Sequence, residues 1–498
     1  MIDLYYLQDL ADEAAKKDEP ILDFPLPTTT ISTSQHQQQH KQIHEQILSG
    51  EHYMNIRNDP KKGKGFYSNQ DIKAGTLLLV SKPISLVMGW EEDLFDDDDD
   101  NDDNDDDTNN NIMNEDEDLM KSNQRNGLLT IRVAKAIQDD PSIWYDQISH
   151  LFPRDGSTLP VWICNHAETG MEYERTINEL ESVNDFSGKN DVIEDIRQRL
   201  PFIVRYNCLS VETSPELFVY PDQAKGGHVT LSATALYYLP SYFNHSSKPN
   251  VSRWSIGDII FFVANQDIRK NTELCISYIE SELLCENAAR RSMLLEMDFE
   301  DSDPIQCKID VEDGEKEGED DDDEAEGPVI SLDVQDELMN MHPLNRLEEI
   351  NRLLVKASSE ESNGGDNDID DEEDELFWFQ CDSHRLRTLL ALTYESLGQP
   401  TKALGQWKQC IDFSERNFPP NDEAGITHYV QASLTALSLS DQSSAQKYAD
   451  KALLNHDTIF GGGVNFFRRR YANEMELQLR GYKNAASGRT ALDALWPN

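Results

Sequence analysis

The sequence predicts an α+β fold followed by an all-α domain. Three observations carry this expectation. Short strand-like segments rich in aliphatic and aromatic residues occur in two blocks, within residues 52–90 and 206–280. Between them, residues 127–205 place apolar side chains at helical spacing, as at Leu128, Ile131, Val133 and Ile137. From Arg385 onward the pattern is helical throughout and contains an internal repeat.

Taken in order, residues 1–50 form an N-terminal extension: a short helical pattern, then Pro, Thr and Ser, then a Gln/His tract from Gln35 to Gln46. His36, His40 and His44 recur every fourth residue, a spacing that could place metal ligands on one helix face but that more often marks a solvated low-complexity tract. Residues 51–90 contain three strand candidates, at Gly65-Phe66-Tyr67, Thr76–Val80 and Pro83–Met88. Residues 91–126 hold an Asp/Asn block, which cannot bury a core and is expected to be disordered. Residues 127–280 hold the helical insert and the second strand block, including Asp258–Val263. Residues 281–307 follow as a short tail, and 308–335 as an acidic linker. Residues 336–498 are the helical domain, with a short helix around Leu344–Leu354 and an internal acidic loop over 356–376.

In that domain Leu390, Tyr394, Ala403, Trp407 and Cys410 sit at spacings resembling a tetratricopeptide repeat, with Gly398-Gln399-Pro400 as the turn. Ala445, Ala449 and Ala452 repeat the second-helix pattern. Two copies are too few for a free-standing solenoid, so these helices need another surface to pack on.

Composition narrows the function. The chain has 498 residues, 38% of them hydrophobic, and a formal net charge of -50. A charge of that sign repels phosphate, so no direct nucleic-acid contact is expected. It attracts basic proteins such as histones, or it serves only to keep the chain soluble. The seven cysteines are dispersed, with no C-x-x-C pair, so neither a disulfide framework nor a zinc ribbon is signalled. The N-terminus lacks a basic region followed by an apolar one, and no apolar run is long enough to span a membrane. The expectation is a cytoplasmic or nuclear protein, without membrane partners and monomeric.

Three short pieces carry chemistry. Gly63-Lys64-Gly65-Phe66 offers glycines that let a backbone press against a ligand, although a lone G-x-G is usually only a turn. Asn244-His245 stands in the string Tyr242-Phe243-Asn244-His245-Ser246-Ser247-Lys248-Pro249-Asn250. The Asn244 amide is both donor and acceptor, and the bland alternative is a polar surface turn closed by Lys248-Pro249-Asn250. Tyr278 ends Glu273-Leu274-Cys275-Ile276-Ser277-Tyr278, where a buried strand tyrosine is the bland alternative.

Together and in this order, the three pieces resemble the signature motifs of the SET-domain protein-lysine methyltransferases. The resemblance implies a SET β-fold with a helical insertion, whose C-terminal segment threads beneath the Asn244 loop as a pseudoknot, an exception to unknotted chain paths. It implies S-adenosylmethionine as cofactor and a protein lysine as substrate. Gly63, Lys64, Gly65 and Phe66 would lie along the cofactor's methionine part, with Lys62 and Lys64 either reaching its carboxylate or serving only as surface charges. Asn244 and His245 would also contact the cofactor, and Tyr278 would be catalytic, orienting the amine beside the transferring methyl. The nearest likeness is the SET-and-MYND branch, where Arg205-Tyr206-Asn207 and Leu239-Pro240-Ser241 have counterparts. That likeness adds Asn207 as a cofactor contact and Phe299 as the aromatic near adenine.

The departures are informative. Where the branch carries a MYND zinc finger, residues 91–126 are acidic and lack cysteine. Residues 281–307 resemble a degenerate post-SET segment. Ser247 stands where relatives have a cysteine, and Asp301 and Asp303 stand where they have C-x-C, leaving Cys307. No zinc is therefore expected, the alternative being a hard-cation site at Asp301 and Asp303. A competing function is a catalytically weak or inactive SET-fold scaffold that grips basic proteins through its acidic tracts and helical repeats.

Overall fold

The computed structural model describes residues 48–49, 53–59, 63–88, 115–152, 167–212, 232–278, 332–360, 384–479 and 494–496. The Gln/His tract, Phe299, Asp301, Asp303, Cys307 and the acidic stretches 311–326 and 361–375 lie outside them.

Strands β1 (Leu48–Ser49), β2 (Met54–Asp59), β3 (Gly63–Ser68), β4 (Leu77–Ser81) and β5 (Ser85–Met88) come first. The helices α1 (Glu115–Asp139), α2 (Ala167–Glu179) and α3 (Asn190–Asn207) follow. Then come β6 (Cys208–Glu212), β7 (Ser232–Leu236), β8 (Asn244–His245), β9 (Val251–Ile256), β10 (Ile259–Ala264) and β11 (Cys275–Ile276). The strands build a four-stranded sheet of order β1-β4-β10-β9, a three-stranded sheet β5-β7-β6, a β2-β3 hairpin and the parallel pair β11-β8.

β10 organises the core. Its sequence Ile259–Ala264 is apolar at every position and buried along its whole length. Side chains alternate across a strand, so Ile260 and Phe262 face one core together with Leu79 of β4. Ile259 and Phe261 face a second core, with Val80, Trp254 and Ile256. The first core also takes Leu129, Val133 and Ile137 of α1 and Ile196, Leu200 and Ile203 of α3.

α1 begins at Glu115, inside the stretch expected to be disordered. Its amphipathic part propagates upstream, because helix extension is easy once nucleated.

The second core is completed by the C-terminal helices. These are α4 (Leu332–Asn340), α5 (Pro343–Glu360), α6 (residues 384–396), α7 (Pro400–Asn417), α8 (Glu423–Ser438), α9 (Gln442–Ile459) and α10 (Gly463–Leu479). Ala403, Ala432, Ala436, Ala445, Ala449 and Ala452 are fully buried, so the helices approach closely. The surface they need is the outer face of the β9-β10 sheet. The Trp254 indole stacks on Phe261 at 4.2 Å and meets Phe460 edge-on at 5.4 Å. Its Nε1 donates to the Ile459 carbonyl at 3.1 Å, and the Asn421 amide donates to the Asn265 carbonyl at 2.8 Å. A smaller cluster of Leu338, Ile350, Leu353, Leu386 and Leu389 ties α4 and α5 to α6.

Candidate active site

The site forms where residues 268–276 pass between β3 and β8. On one side, Ser68 N donates to the Thr272 carbonyl at 2.9 Å and Leu274 N to the Phe66 carbonyl at 2.8 Å. On the other, Cys275 pairs in parallel with Asn244 and Ile276 with His245, and Ser246 N donates to the Ile276 carbonyl at 2.9 Å. Segments about thirty residues apart or more in the chain thereby become immediate neighbours. Asn250, at the end of the turn, clamps the arrangement. Its amide nitrogen donates to the Glu273 carbonyl at 2.8 Å, and its oxygen accepts from Cys275 N at 2.9 Å.

Gly65 is buried on β3, opposite Arg57 in the hairpin. A Cβ at this position would stand 2.5 Å from Asn244 Nδ2 and 3.1 Å from Glu273 Oε1. The second glycine of the G-x-G is therefore required by a close approach within the site. Gly63 begins the strand at φ +81°, a conformation that L side chains rarely adopt. The Asn244 side chain lies between Gly65 and Glu273, its Nδ2 donating to Glu273 Oε1 at 2.7 Å.

His245 Nδ1 accepts the Tyr278 backbone N–H at 3.1 Å. A neutral imidazole with Nδ1 accepting carries its proton on Nε2, so this ring orients the backbone of residue 278. The Tyr278 hydroxyl donates to the Phe243 carbonyl at 2.9 Å, one residue before Asn244. Burial, followed by the neighbouring Cys275 and Glu273, holds the phenol well above its ordinary pKa. Tyr278 is thus a neutral phenol whose proton is committed to a backbone carbonyl and whose oxygen lone pairs can accept from a ligand.

The other anticipated residues occupy distinct places. Lys64 lies over the Tyr242 ring, its Nζ 5.8 Å from the centroid. The Phe66 ring turns into the core, 4.9 Å from Phe243 and 5.8 Å from Tyr242 by centroid, so any ligand contact from Phe66 is through its main chain. Asn207 ends α3, and its amide nitrogen donates to the Ile203 carbonyl at 2.8 Å and to the Phe152 carbonyl. That nitrogen is committed to bracing the helix end, which leaves its oxygen for a ligand. Its own carbonyl accepts from Ser241 Oγ at 3.4 Å, which joins α3 to the turn leading into Asn244. Gly65, Asn244, His245 and Tyr278 therefore converge, Gly63, Lys64 and Phe66 flank them on β3, and Asn207 stands behind.

Two contributors escaped sequence reasoning. The Phe243 carbonyl is a backbone atom and has no residue signature. Glu273 was quoted only as the start of a string, although an acid directly before the buried run Leu274-Cys275-Ile276 was the available signal. Among the described residues there is no group of three or more His, Cys, Asp or Glu placed to hold a metal ion. Cys208, Cys275 and Cys410 form no disulfide there.

The family model described as SET domain matches residues 63–279, a span that contains all three motif pieces. The fold is that of a SET domain, mixed in helix and strand, with a helical C-terminal region. A Saccharomyces cerevisiae (strain ATCC 204508 / S288c) protein named potential protein lysine methyltransferase SET6 is 35% identical over 72 residues. That match covers 14% of this chain and 19% of the yeast protein, so it spans about a fifth of the relative. Among solved structures, the SET domain of LSMT bound to lysine and AdoHcy aligns over 97% of this chain and 98% of its own, at 11% identity and a TM-score of 0.24. Rubisco LSMT bound to sinefungin and monomethyllysine aligns over 81% and 89%, at 12% identity and a TM-score of 0.23. Superpositions at that level carry no argument about this chain.

Proposed function

We propose that the chain is an S-adenosylmethionine-dependent methyltransferase acting on lysine side chains of a protein substrate. The observation that carries this reading is the convergence of Gly65, Asn244 and Tyr278, from three separate parts of the SET-domain match, on one spot. The finer likeness to the SET-and-MYND branch, with tetratricopeptide-like C-terminal helices and without the zinc fingers, belongs to this proposal. So does a basic protein substrate, which the net charge of -50 would attract.

The residues present fit the cofactor. At Gly65 the backbone comes within reach of the Asn244 amide with no side chain between them. The Asn244 oxygen and the Glu273 carboxylate supply acceptors for an ammonium, and Lys64 supplies a positive charge for a carboxylate. When bound, the cofactor supplies a methyl group already activated on a sulfonium, so the protein's tasks are orientation and exclusion of water.

Tyr278 performs the orientation. With its proton on the Phe243 carbonyl, the phenol oxygen accepts from the lysine amine and aims the nitrogen lone pair at the methyl. Neither Tyr278 nor His245 is placed to act as base: the phenol is held protonated by burial, and His245 Nδ1 is engaged by Tyr278 N. A lysine ammonium with an ordinary pKa of about 10.4 therefore gives up its proton to solvent before the transfer.

The test combines binding and transfer. S-adenosylmethionine should raise the melting temperature of the full chain, and a radiolabelled methyl should pass to protein lysine in a basic extract or on histones. Tyr278→Phe should lower kcat by at least about 100-fold, the scale of losing one transition-state contact, while leaving the cofactor-induced shift in place. Absence of both the shift and the transfer in the unaltered chain would refute the reading.

A further inference from the structure

We propose that Glu273 is a positioning residue. It fixes which way the Asn244 carboxamide faces and makes this spot selective for a ligand that carries an ammonium group. The inference rests on the methyltransferase reading and names one determinant of cofactor recognition within it.

Glu273 is held from several directions. Its carbonyl accepts from the Asn250 amide at 2.8 Å, the next residue donates to Phe66, and Cys275 N donates to Asn250 Oδ1 at 2.9 Å. Its residue bridges Tyr67 of β3. From that fixed backbone, the carboxylate takes the Asn244 Nδ2 hydrogen at 2.7 Å, directly over Gly65. An ionised carboxylate only accepts hydrogen bonds, so the amide group facing it must be the donor end. The Asn244 carbonyl end is therefore turned away from Glu273, as an acceptor. Without the carboxylate, the amide would be free to flip and present NH2 instead.

The result is a small region of acceptors and negative charge, half-buried and pressed against a glycine. Of the polar groups on an S-adenosyl ligand, the carboxylate would be repelled there. The α-ammonium, with hydrogens to donate and a matching charge, is favoured. Gly65 is essential to the device, since a Cβ would occupy the place of the Asn244 nitrogen.

The experiment measures ligand discrimination by isothermal titration on the full chain. The ligands are S-adenosylhomocysteine and its analogue without the α-amino group. The unaltered chain should prefer the amino-bearing ligand by about 10- to 100-fold, the range for a hydrogen bond to a charged group. In Glu273→Gln, whose shape and accepting oxygen are kept, that preference should fall about tenfold, with affinity for the deaminated ligand held within about threefold. If Glu273→Gln weakens both ligands equally, Glu273 only supports the fold and the inference is wrong. If the unaltered chain binds both ligands alike, it is wrong without recourse to any variant. If the unaltered chain binds neither, the methyltransferase reading itself fails.

Discussion

Replacing Trp254 by alanine tests how the C-terminal helices are joined to the β9-β10 sheet. The indole is 8% exposed and stacks nearly parallel on Phe261, with interplanar angle 8°. It also meets Phe460 and Phe466 from the helical side, at 5.4 and 6.2 Å. Truncating a buried aromatic to alanine costs about 3–5 kcal/mol. The Ile459 carbonyl, which accepts from Nε1 at 3.1 Å, would lose its partner, adding about 1–3 kcal/mol if no water replaces it. Together this is roughly 4–8 kcal/mol, set against a total of about 5–15 kcal/mol for a folded domain. Trp254→Phe keeps a ring and loses the hydrogen bond, so it should cost about 1–3 kcal/mol, chiefly from the unmet carbonyl. Urea unfolding followed by circular dichroism at 222 nm, with cofactor binding measured alongside, reads both effects. A Trp254→Ala midpoint shift worth less than about 1 kcal/mol would mean that the helices are not anchored through this ring, and the two-faced description of β10 would have to be abandoned.

Gly65→Ala should abolish detectable cofactor binding at micromolar concentrations while leaving the far-ultraviolet spectrum unchanged, because the new methyl displaces Asn244 from Glu273; unaltered binding would contradict the close approach. The rate of transfer at subsaturating substrate should rise close to tenfold per pH unit between pH 7 and 9, following loss of the lysine proton to solvent; a plateau near pH 7 would reveal a base within the site. Stability should fall on mild acidification. Burial lowers the pKa of His384 to about 2 and of His428 to about 4, and drives that of His456 well below the ordinary value. All three stay neutral when folded but bind protons below about pH 6.5 when unfolded, so their stability contribution is complete above that pH and is lost as pH falls. From pH 7 to 5.5 the loss is on the order of 1 kcal/mol per ring, a few kcal/mol together; equal urea midpoints at the two pH values would show that these rings are solvated.

The chain order of the site was legible because glycine, asparagine and tyrosine each announce what they can do in a one-dimensional string. What those side chains touch was not. Phe66 belongs to the G-x-G string, yet its ring packs on Tyr242 and Phe243, since an aromatic beside a core is buried before it serves a ligand. The Asn207 amide nitrogen braces the end of α3, a contact the sequence does not report. Glu273 was overlooked because its meaning depends on Asn244, nearly thirty positions away and brought beside it only by the parallel pairing of β8 and β11. The run Asp258–Val263 was recognisably a strand, and in the structure Ile259–Ala264 is buried on both faces. That helices cover one of those faces follows from Trp254, Phe460 and Phe466 meeting in space, which no local pattern reports. The early start of α1 was hidden by acidic residues whose composition resembles a tail.

The strand that completes the site is made late. β3 finds its partner β2 within a few residues, but its other edge, at Phe66 and Ser68, stays unfilled until residues 272–274 have emerged from the ribosome. At about 5–20 residues per second, that is a wait of some ten to forty seconds. Throughout it, the nascent chain presents an unoccupied edge at the place where Gly65 later meets Asn244. A ribosome stalled before Thr272 would display a polypeptide whose candidate site lacks the segment that fills that edge.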